Sequence, residues 1–298
     1  MNKTCIVIVG PTAVGKTEIA IQIAKHFGTS IISADSRQCF RELNIGVAKP
    51  PADQLRLVKH YFIDSHSVRD EVNAAVFEQY ALEKIKIIFQ QNDIAVVTGG
   101  TGLYIQTFCQ GIDDVPLIDP AVREKIIADF EWEGMEWLQQ ELRKQDPAYF
   151  AAGDMKNPQR MMRALEVKFS TGRSILEFQT QQRKKREFNI IKIGLVLPKE
   201  QLHWNINRRV DDMIQRGLLT EVKALESCKK LNALQTVGYR ELFGHLAGDL
   251  SLEEAVEIIK INTRQYAKRQ MTWFRKDEEV KWCAPTTEQV MAMIGELA

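Results

Sequence analysis

An apolar segment that leads directly into a glycine-rich loop constrains the fold of this chain more than any other feature. The segment spans residues 5–9, and a helical pattern begins at residue 17. Between them lies the phosphate-binding loop, which consists of Gly10, Pro11, Thr12, Ala13, Val14, Gly15, Lys16 and Thr17. In this strand–loop–helix context, backbone N–H groups and the lysine surround phosphate oxygens. The motif does not distinguish ATP, GTP and a bare diphosphate.

Further short apolar segments, rich in β-branched residues, are typical of buried parallel strands. They span residues 30–33, 60–63, 94–98 and 190–197. Helical patterns lie between them at residues 17–27, 73–91 and 201–217. This alternation predicts an α/β fold, with a P-loop-type parallel sheet flanked by helices.

The middle of the chain has a different pattern, because residues 113–186 contain no convincing strand. Helical patterns occur there at residues 120–130, 134–145 and 158–171. We therefore expect a helical insertion domain at 113–186, within a core made of residues 1–112 and 187–298. The basic run at its end, residues 183–186, is typical of a solvated loop, and contact with a nucleic-acid backbone is the alternative.

Composition limits the class of protein. The five cysteines are scattered without a CxxC pair, and this spacing argues against a zinc ribbon or a disulfide framework. No apolar run reaches 18 residues, and the start is too short for a signal peptide. We expect a cytoplasmic protein without a membrane segment. Its net charge is +1, so affinity for nucleic acid would depend on local clusters.

An acidic residue follows the second predicted strand. Asp35 would lie beside the phosphate-binding loop, because ligands of open α/β sheets bind beyond the carboxyl ends of strands. It could act as a general base or as a ligand of metal-bound water, but an N-cap or Asx turn is equally compatible. An enzyme that uses ATP would need an acidic residue at the end of a strand to hold Mg²⁺. The strand at 94–98 instead leads into the Thr-Gly-Gly-Thr-Gly loop (residues 98–102), which contains no acidic residue. Because Asp64 follows another strand, a kinase remains an alternative.

The segment at residues 262–275 combines cations with aromatic residues. Ser251 is a suitable N-cap for a long helix that continues through Phe274. Arg264 and Lys268 are four residues apart and would share a face of this helix. Two interpretations remain open: contact with RNA phosphates, or a solvated charged helix whose aromatic residues belong to the core.

Taken together, these motifs resemble the bacterial tRNA dimethylallyltransferases over essentially the whole chain. The stretches that carry the resemblance are GPTAVGKT at 10–17, SADSRQ at 33–38, IGVAKP at 45–50, TGGTGLYI at 98–105, NPQRMMRALEV at 157–167, TVGYREL at 236–242 and QYAKRQMTWFR at 265–275. The resemblance implies transfer of a dimethylallyl group from dimethylallyl diphosphate to N6 of an adenine. That adenine lies 3′ of the anticodon, at position 37, in tRNAs that read codons beginning with U.

The resemblance also implies roles for individual residues. Asp35 matches the family's general base, and Arg209 matches an arginine that holds the diphosphate. Lys16 and the loop amides would stabilise the leaving diphosphate, with Mg²⁺ bound through Thr17. Thr12 matches a threonine of the substrate site. In this family the loop holds diphosphate rather than ATP.

The same resemblance implies a tRNA-binding surface and a flipped-out adenine. The matching residues are Asp35, Ser36, Arg37, Gln38, Thr101, Asn157, Pro158, Gln159, Arg160 and Met161. Nothing in the sequence requires more than a monomer. Competing interpretations are a P-loop small-molecule kinase, an isopentenyltransferase that acts on free AMP or ADP, and a non-catalytic RNA-binding protein.

The chain departs from the family pattern at three places. Val47 replaces the usual threonine of the Ile-Gly-Thr-Ala-Lys-Pro motif, and Asn205 stands where an arginine is frequent. Lys59 and His60 replace a histidine pair. We expect activity to survive, since none of these changes affects Asp35. A C-terminal zinc finger of the eukaryotic type does not follow residue 275.

Overall fold

A parallel six-stranded sheet forms the centre of the computed structural model, which describes residues 3–116, 118–179 and 182–297. In chain order the strands are β1 (Thr4–Val9), β2 (Ile31–Ser33), β3 (His60–Tyr61), β4 (Ile94–Gly99), β5 (Asn189–Leu195) and β6 (Lys281–Cys283). Their spatial order is β3-β2-β4-β1-β5-β6. The predicted α/β fold is confirmed, and β6 is a strand that the sequence pattern did not predict.

Helices make up much of the rest of the described residues. They are α1 (Lys16–His26), α2 (Ala52–Leu57), α3 (Ala74–Gln91), α4 (Gly102–Gln110), α5 (Pro120–Gln145), α6 (Pro147–Ala152), α7 (Pro158–Thr171), α8 (Lys199–Gln215), α9 (Leu218–Ala224), α10 (Tyr239–Ala247), α11 (Leu252–Phe274) and α12 (Thr287–Leu297). The predicted N-cap of α11 is confirmed, because Ser251 and Glu254 form a reciprocal capping box. Within the described residues, no helix is both long and apolar enough to cross a membrane.

The central position of β1 determines where the loops meet. Every residue of β1 is buried, and the strand pairs in parallel with β4 on one side and β5 on the other. Val9 at its end is opposite Gly99, while Ser33 at the end of β2 is opposite Thr98. The loops that follow β1, β2 and β4 therefore leave the sheet at one edge, where open α/β sheets bind ligands.

The chain divides into two compact units, one of residues 1–111 with 185–298 and the other of residues 112–184. In the second unit, α5 and α7 pack around a core that includes Leu138, Leu142, Met161 and Leu165. The two helices predicted at 120–130 and 134–145 form a single kinked helix. Its kink is at Gly134, whose φ of 78° suits glycine.

The basic run at residues 183–186 predicted a solvated loop, but the side chain of Arg186 is largely shielded from solvent. Its Nη2 lies 2.5 Å from Glu78 Oε1, and both side chains are about nine-tenths buried at 10% exposure. The guanidinium also donates to the carbonyls of Thr107 and Phe108 at 2.7 Å. Two guanidinium nitrogens thus meet three acceptor oxygens inside the first unit, and residue 186 belongs to that unit.

Candidate active site

Glycine conformations shape the phosphate-binding loop. Gly15 adopts a φ of 101° immediately before α1, and Gly10 adopts a φ of 146°. A Cβ on Gly10 would lie 2.7 Å from the carbonyl oxygen of Leu195, so the close approach to β5 also requires glycine. The ammonium of Lys16 donates to the carbonyls of Gly10 at 2.9 Å and Pro11 at 2.7 Å. The lysine is thereby held over the first half of its own loop.

Two desolvated cations face this loop. Burial, and after it the nearby Arg209, lower the pKa of Lys16 to about 7, while Asp35 opposes the shift. Burial likewise lowers the pKa of Arg209, again opposed by Asp35. Arg209 Nη1 donates to Thr12 Oγ1 at 3.1 Å. An anionic ligand bound here would relieve the repulsion between the two cations and favour their charged forms.

Asp35 forms a turn in the loop that follows β2. Its Oδ1 accepts the backbone N–H of Arg37 at 2.9 Å and that of Gln38 at 3.1 Å. This is the Asx turn that the sequence left as one interpretation of this residue. Both hydrogen bonds are accepted by Oδ1, so neither hydrogen bond of the turn uses the second carboxylate oxygen, Oδ2.

Thr101 joins the Thr-Gly-Gly-Thr-Gly loop to the residues beside Asp35. Its hydroxyl oxygen accepts the Ser36 N–H at 3.0 Å, and its own N–H donates to Ala34 O at 3.2 Å. A Cβ on Gly99 would lie 2.1 Å from that same carbonyl oxygen, which explains the glycine. Nearby, burial and then Asp35 raise the pKa of Tyr266 to about 12, and hydrogen bonding by Thr101 opposes the rise.

The aspartate loop (residues 34–49) is held from within by two side chains. Gln38 donates through Nε2 to the carbonyls of Val47 at 3.2 Å and Ala48 at 3.1 Å. Lys49 donates to the Phe40 carbonyl at 2.6 Å and also contacts Asp64. These side chains satisfy backbone carbonyls of a loop that has almost no regular structure.

A carboxylate from α9 holds the same loop from outside. Glu221 accepts the N–H groups of three consecutive residues, Asn44, Ile45 and Gly46, at 3.1, 2.8 and 3.1 Å. The Tyr239 hydroxyl donates to the same carboxylate at 2.5 Å. A Cβ on Gly46 would lie 2.6 Å from the Tyr239 ring, so the motifs at 45–50 and 236–242 pack directly on each other.

Of the departures from the family pattern, Asn205 has a role that sequence reasoning did not suggest. Its Nδ2 donates to the Ala13 carbonyl of the phosphate-binding loop at 3.1 Å. Asparagine here supplies a neutral donor to the loop backbone. The side chain of Val47 is half-buried, and its carbonyl is one of the acceptors for Gln38.

The predicted tRNA-binding stretch of the second unit begins α7. Asn157 caps this helix by accepting the Arg160 N–H at 3.3 Å, and Pro158 occupies its first turn. Gln159 and Arg160 are exposed, and Arg160 pairs with Asp154 at 3.0 Å. Met161, however, is fully buried in the core of the unit. Its predicted contact with tRNA is therefore not available to the side chain in this conformation.

In the motif at residues 265–275, which lies mostly on the long helix α11, some side chains pack against other residues and others are exposed to solvent. Phe274 is buried, while Trp273 packs on Gly102, where a Cβ would lie 2.3 Å from the indole. The cations do not share one role. Arg264 donates to Asn207 Oδ1 at 2.6 Å, whereas Lys268 and Arg269 are exposed. Arg275 and Lys276, which follow the end of α11, are exposed as well.

Two residues of this site were not among the sequence-based candidates. Glu221 holds the aspartate loop, and Gln270 of α11 bonds to both the phosphate-binding loop and the Thr-Gly-Gly-Thr-Gly loop. The available signal was indirect, since glycines at positions 46, 100 and 102 indicate close approach by some other group. The sequence alone does not identify that group.

Comparison with known proteins shows the family to which the chain belongs. Residues 38–277 match the family model described as IPP transferase. The chain is 47% identical to tRNA dimethylallyltransferase 1 of Bacteroides thetaiotaomicron, over 96% of this chain and 92% of the relative. It is 46% identical to the tRNA dimethylallyltransferase of Christiangramia forsetii, over 95% and 93%.

Solved structures give the same result. The tRNA isopentenylpyrophosphate transferase of Bacillus halodurans matches with a TM-score of 0.72 and 34% identity, over 99% of this chain and 95% of that one. A eukaryotic dimethylallyltransferase acting on tRNA matches with a TM-score of 0.79 and 27% identity, over 96% and 75%. The chain therefore belongs to the IPP transferase family, as a bacterial-type enzyme that transfers a prenyl group to tRNA.

Proposed function

We propose that this enzyme transfers the dimethylallyl group of dimethylallyl diphosphate to N6 of adenine 37, 3′ of the anticodon, in tRNAs that read codons beginning with U. The products are N6-dimethylallyladenosine and diphosphate. One observation carries the proposal. The pairing of β1, β2 and β4 brings a phosphate-binding loop with two half-buried cations, Lys16 and Arg209, to the same sheet edge as Asp35 and Thr101.

The cations suit the leaving group. As the allylic C–O bond breaks, its electron pair moves onto the diphosphate, and preorganised donors lower the barrier to that charge development. Lys16, Arg209 and the loop amides supply such donors, and Thr12 is oriented by Arg209. Their partial desolvation strengthens the attraction, because charge interactions are larger in a low-dielectric environment.

The donor set also suits Mg²⁺ bound together with the diphosphate. The described residues contain no cluster of three or more His, Cys, Asp or Glu that could hold a metal alone. Magnesium commonly takes one or two protein oxygens and completes its shell with phosphate oxygens and water. The Thr17 hydroxyl, in the first turn of α1, would supply the protein oxygen. The bound ion would neutralise charge on the diphosphate.

Asp35 is the proposed general base. The exocyclic amine of adenine is a weak nucleophile, because its lone pair is delocalised into the ring, and it must lose a proton as the N–C bond forms. Oδ1 already holds the turn at Arg37 and Gln38. We assign the proton to Oδ2 and the orientation of the amine to the Thr101 hydroxyl.

The acceptor is proposed to be an adenine extruded from the anticodon loop, which costs about a few kcal/mol of stacking. Residues 35–38 and Thr101 would contact that base and its neighbours. The exposed side chains at the start of α7, Gln159 and Arg160, and the exposed cations of α11 would contact RNA phosphates. Met161 is left out because it is buried. The enzyme is proposed to act as a monomer.

A transfer assay tests this function. The protein is incubated with Mg²⁺ and radiolabelled dimethylallyl diphosphate, with either unmodified tRNA bearing A37, the same tRNA with G37, or AMP. Label in the A37 tRNA alone supports the proposal. Label in AMP would instead indicate an enzyme for free nucleotides, and equal label in the G37 tRNA would contradict the assigned acceptor. Hydrolysis of ATP without label would favour the kinase alternative.

A further inference from the structure

We propose that Gln270 is a positioning residue that fixes the phosphate-binding loop against the Thr-Gly-Gly-Thr-Gly loop and so aligns the two substrates. Gln270 lies on α11 and is 6% exposed. This inference rests on the proposed roles of Thr12 and Thr101, but it concerns a residue to which the reaction itself assigns no chemical step.

The oxygen and the nitrogen of the Gln270 side-chain amide each form a hydrogen bond with a backbone group. Gln270 Oε1 accepts the Thr12 N–H at 2.8 Å, and its Nε2 donates to the Gly100 carbonyl at 2.9 Å. Thr12 follows β1 and Gly100 follows β4, so one planar group bridges the loops that leave two adjacent strands. A bridge of this kind needs a donor and an acceptor at a fixed separation, which an amide supplies.

The loop geometry is adapted to this side chain. A Cβ on Gly100 would lie 2.2 Å from Gln270 Nε2, so residue 100 must lack a side chain for the amide to reach its carbonyl. Both hydrogen-bond partners of Gln270 lie close to residues with proposed roles in substrate binding. Thr12 receives the Arg209 hydrogen bond, and Gly100 is adjacent to Thr101, which binds Ser36.

A shift of the Gln270 side chain would therefore alter the geometry of both substrate sites. Without the amide, the half-buried Thr12 N–H and the buried Gly100 carbonyl lose their partner, and the two loops can shift independently. The distance between the allylic carbon and the adenine amine depends on both loops. Misplacement of reacting groups by about 1 Å can lower a rate about 10²-fold, even when the altered residue is far from the chemistry.

The test uses Gln270→Met, which keeps the length of the side chain and removes both hydrogen bonds. We expect kcat for transfer to tRNA to fall about 10²-fold, with less than about fivefold change in KM for either substrate. Gln90→Met, on an exposed face of α3, is the matched control and should keep wild-type kcat. Thermal unfolding of each variant reports the folded fraction, and kcat is expressed per folded molecule.

A second variant covers the case in which Gln270→Met does not fold. Gln270→Glu keeps the volume and an acceptor for Thr12 but, when ionised, has no donor for Gly100, so its kcat should also fall at least about tenfold. Combining either variant with Thr101→Ala should give less than the product of the two separate losses, because both act on the alignment of one acceptor.

The outcomes separate this inference from the proposed function. Wild-type protein that labels no tRNA would contradict the function, whatever the variants do. If the wild-type protein transfers and the folded Gln270 variants turn over within about threefold of Gln90→Met, the positioning role is overturned. Loss of thermal stability with unchanged kcat would likewise assign Gln270 to packing alone.

Discussion

The phosphate-binding loop and the aspartate loop lie at one edge of the same sheet, but they are held in place differently. In the first, Lys16 bonds to carbonyls five and six positions earlier, and Gln270, Asn205 and Arg209 each add one hydrogen bond from a distant part of the chain. The second is held by Glu221, which is 175 to 177 positions away from its three N–H partners. Both sites thus depend on distant parts of the chain, but the phosphate-binding loop also has a lysine of its own that bonds to its backbone, whereas a single distant carboxylate binds three consecutive N–H groups of the aspartate loop.

The difference is also one of charge. The half-buried cations Lys16 and Arg209 lie at the phosphate-binding loop, and a ligand must supply the anion. In the aspartate loop the protein supplies its own anion, because Glu221 occupies the three converging N–H groups. We therefore expect the first loop to be sensitive to ligand and pH, and the second to be sensitive to mutation.

The largest expected effect is that of Asp35→Asn. The amide keeps an oxygen for the N–H groups of Arg37 and Gln38 but cannot accept the adenine proton. Single-turnover transfer should fall about 10²–10⁴-fold, while tRNA affinity measured by filter binding should change only slightly. Asp249→Asn, at an exposed position, is the control. Transfer within about tenfold of wild type would remove the general-base role.

Glu221→Gln tests whether the aspartate loop depends on a distant carboxylate. One oxygen remains as an acceptor, but the amide group presents a donor to N–H groups that also donate. Because hydrogen bonds to charged groups contribute about 1.5–3 kcal/mol, we expect the free energy of unfolding to fall by about 1–3 kcal/mol. Denaturant titration measures it, with the exposed Glu226→Gln as control. Unchanged stability would mean that the loop holds itself.

The Lys16 ammonium makes diphosphate binding dependent on pH. The free enzyme loses this proton above a pKa of about 7, and the bound anion requires the charged form. Affinity should therefore be independent of Lys16 titration below pH 7 and fall by up to about tenfold per unit above it. Calorimetry at pH 8 in two buffers of different ionisation heat should detect proton uptake beyond that of the ligand.

Lys16→Met is the matched variant for that experiment, since it removes the titrating group and keeps an unbranched side chain. The additional proton uptake should disappear along with most of the affinity. If the wild-type protein binds diphosphate at pH 8 without taking up a proton, Lys16 is already charged in the free loop, and the contrast with the aspartate loop is weaker.

The smallest expected effect is that of Val47→Thr, which restores the usual threonine of the motif. The contribution of residue 47 to the loop is its carbonyl, which accepts from Gln38 and is unchanged by the substitution. We expect kcat/KM for tRNA and dimethylallyl diphosphate to stay within about twofold, or about 0.5 kcal/mol. A gain above about fivefold would show that the hydroxyl contributes to the acceptor site.

Local patterns predicted much of the fold, and their failures have physical reasons. The strands β1 and β4 are continuous apolar segments, and Ser251 with Glu254 is a local capping signal. By contrast, β6 is only three residues long, with one exposed and one half-buried, so it has little apolar signal of its own. It becomes a strand because β5 offers it an unpaired edge.

In the site, too, features with a local sequence signal could be predicted, and features that depend on distant contacts could not. The positions of the phosphate-binding loop and Asp35 could be expected from neighbouring residues in the sequence. Arg186 could not, because a basic run is normally solvated and only the fold brings Glu78 next to it. Gln270 and Glu221 are equally non-local, since their partners are backbone groups, which every residue has.

The central place of β1 has a consequence for synthesis on the ribosome. This strand is made first, yet one of its neighbours, β5, ends at Leu195. At roughly 5–20 residues per second, β1 waits on the order of 10–40 s for that partner. The helical unit at 112–184 is completed within this interval, and we expect it to fold before the sheet closes. During that time the side of β1 that pairs with β5 has no partner strand, and an unpaired apolar strand edge is prone to aggregation.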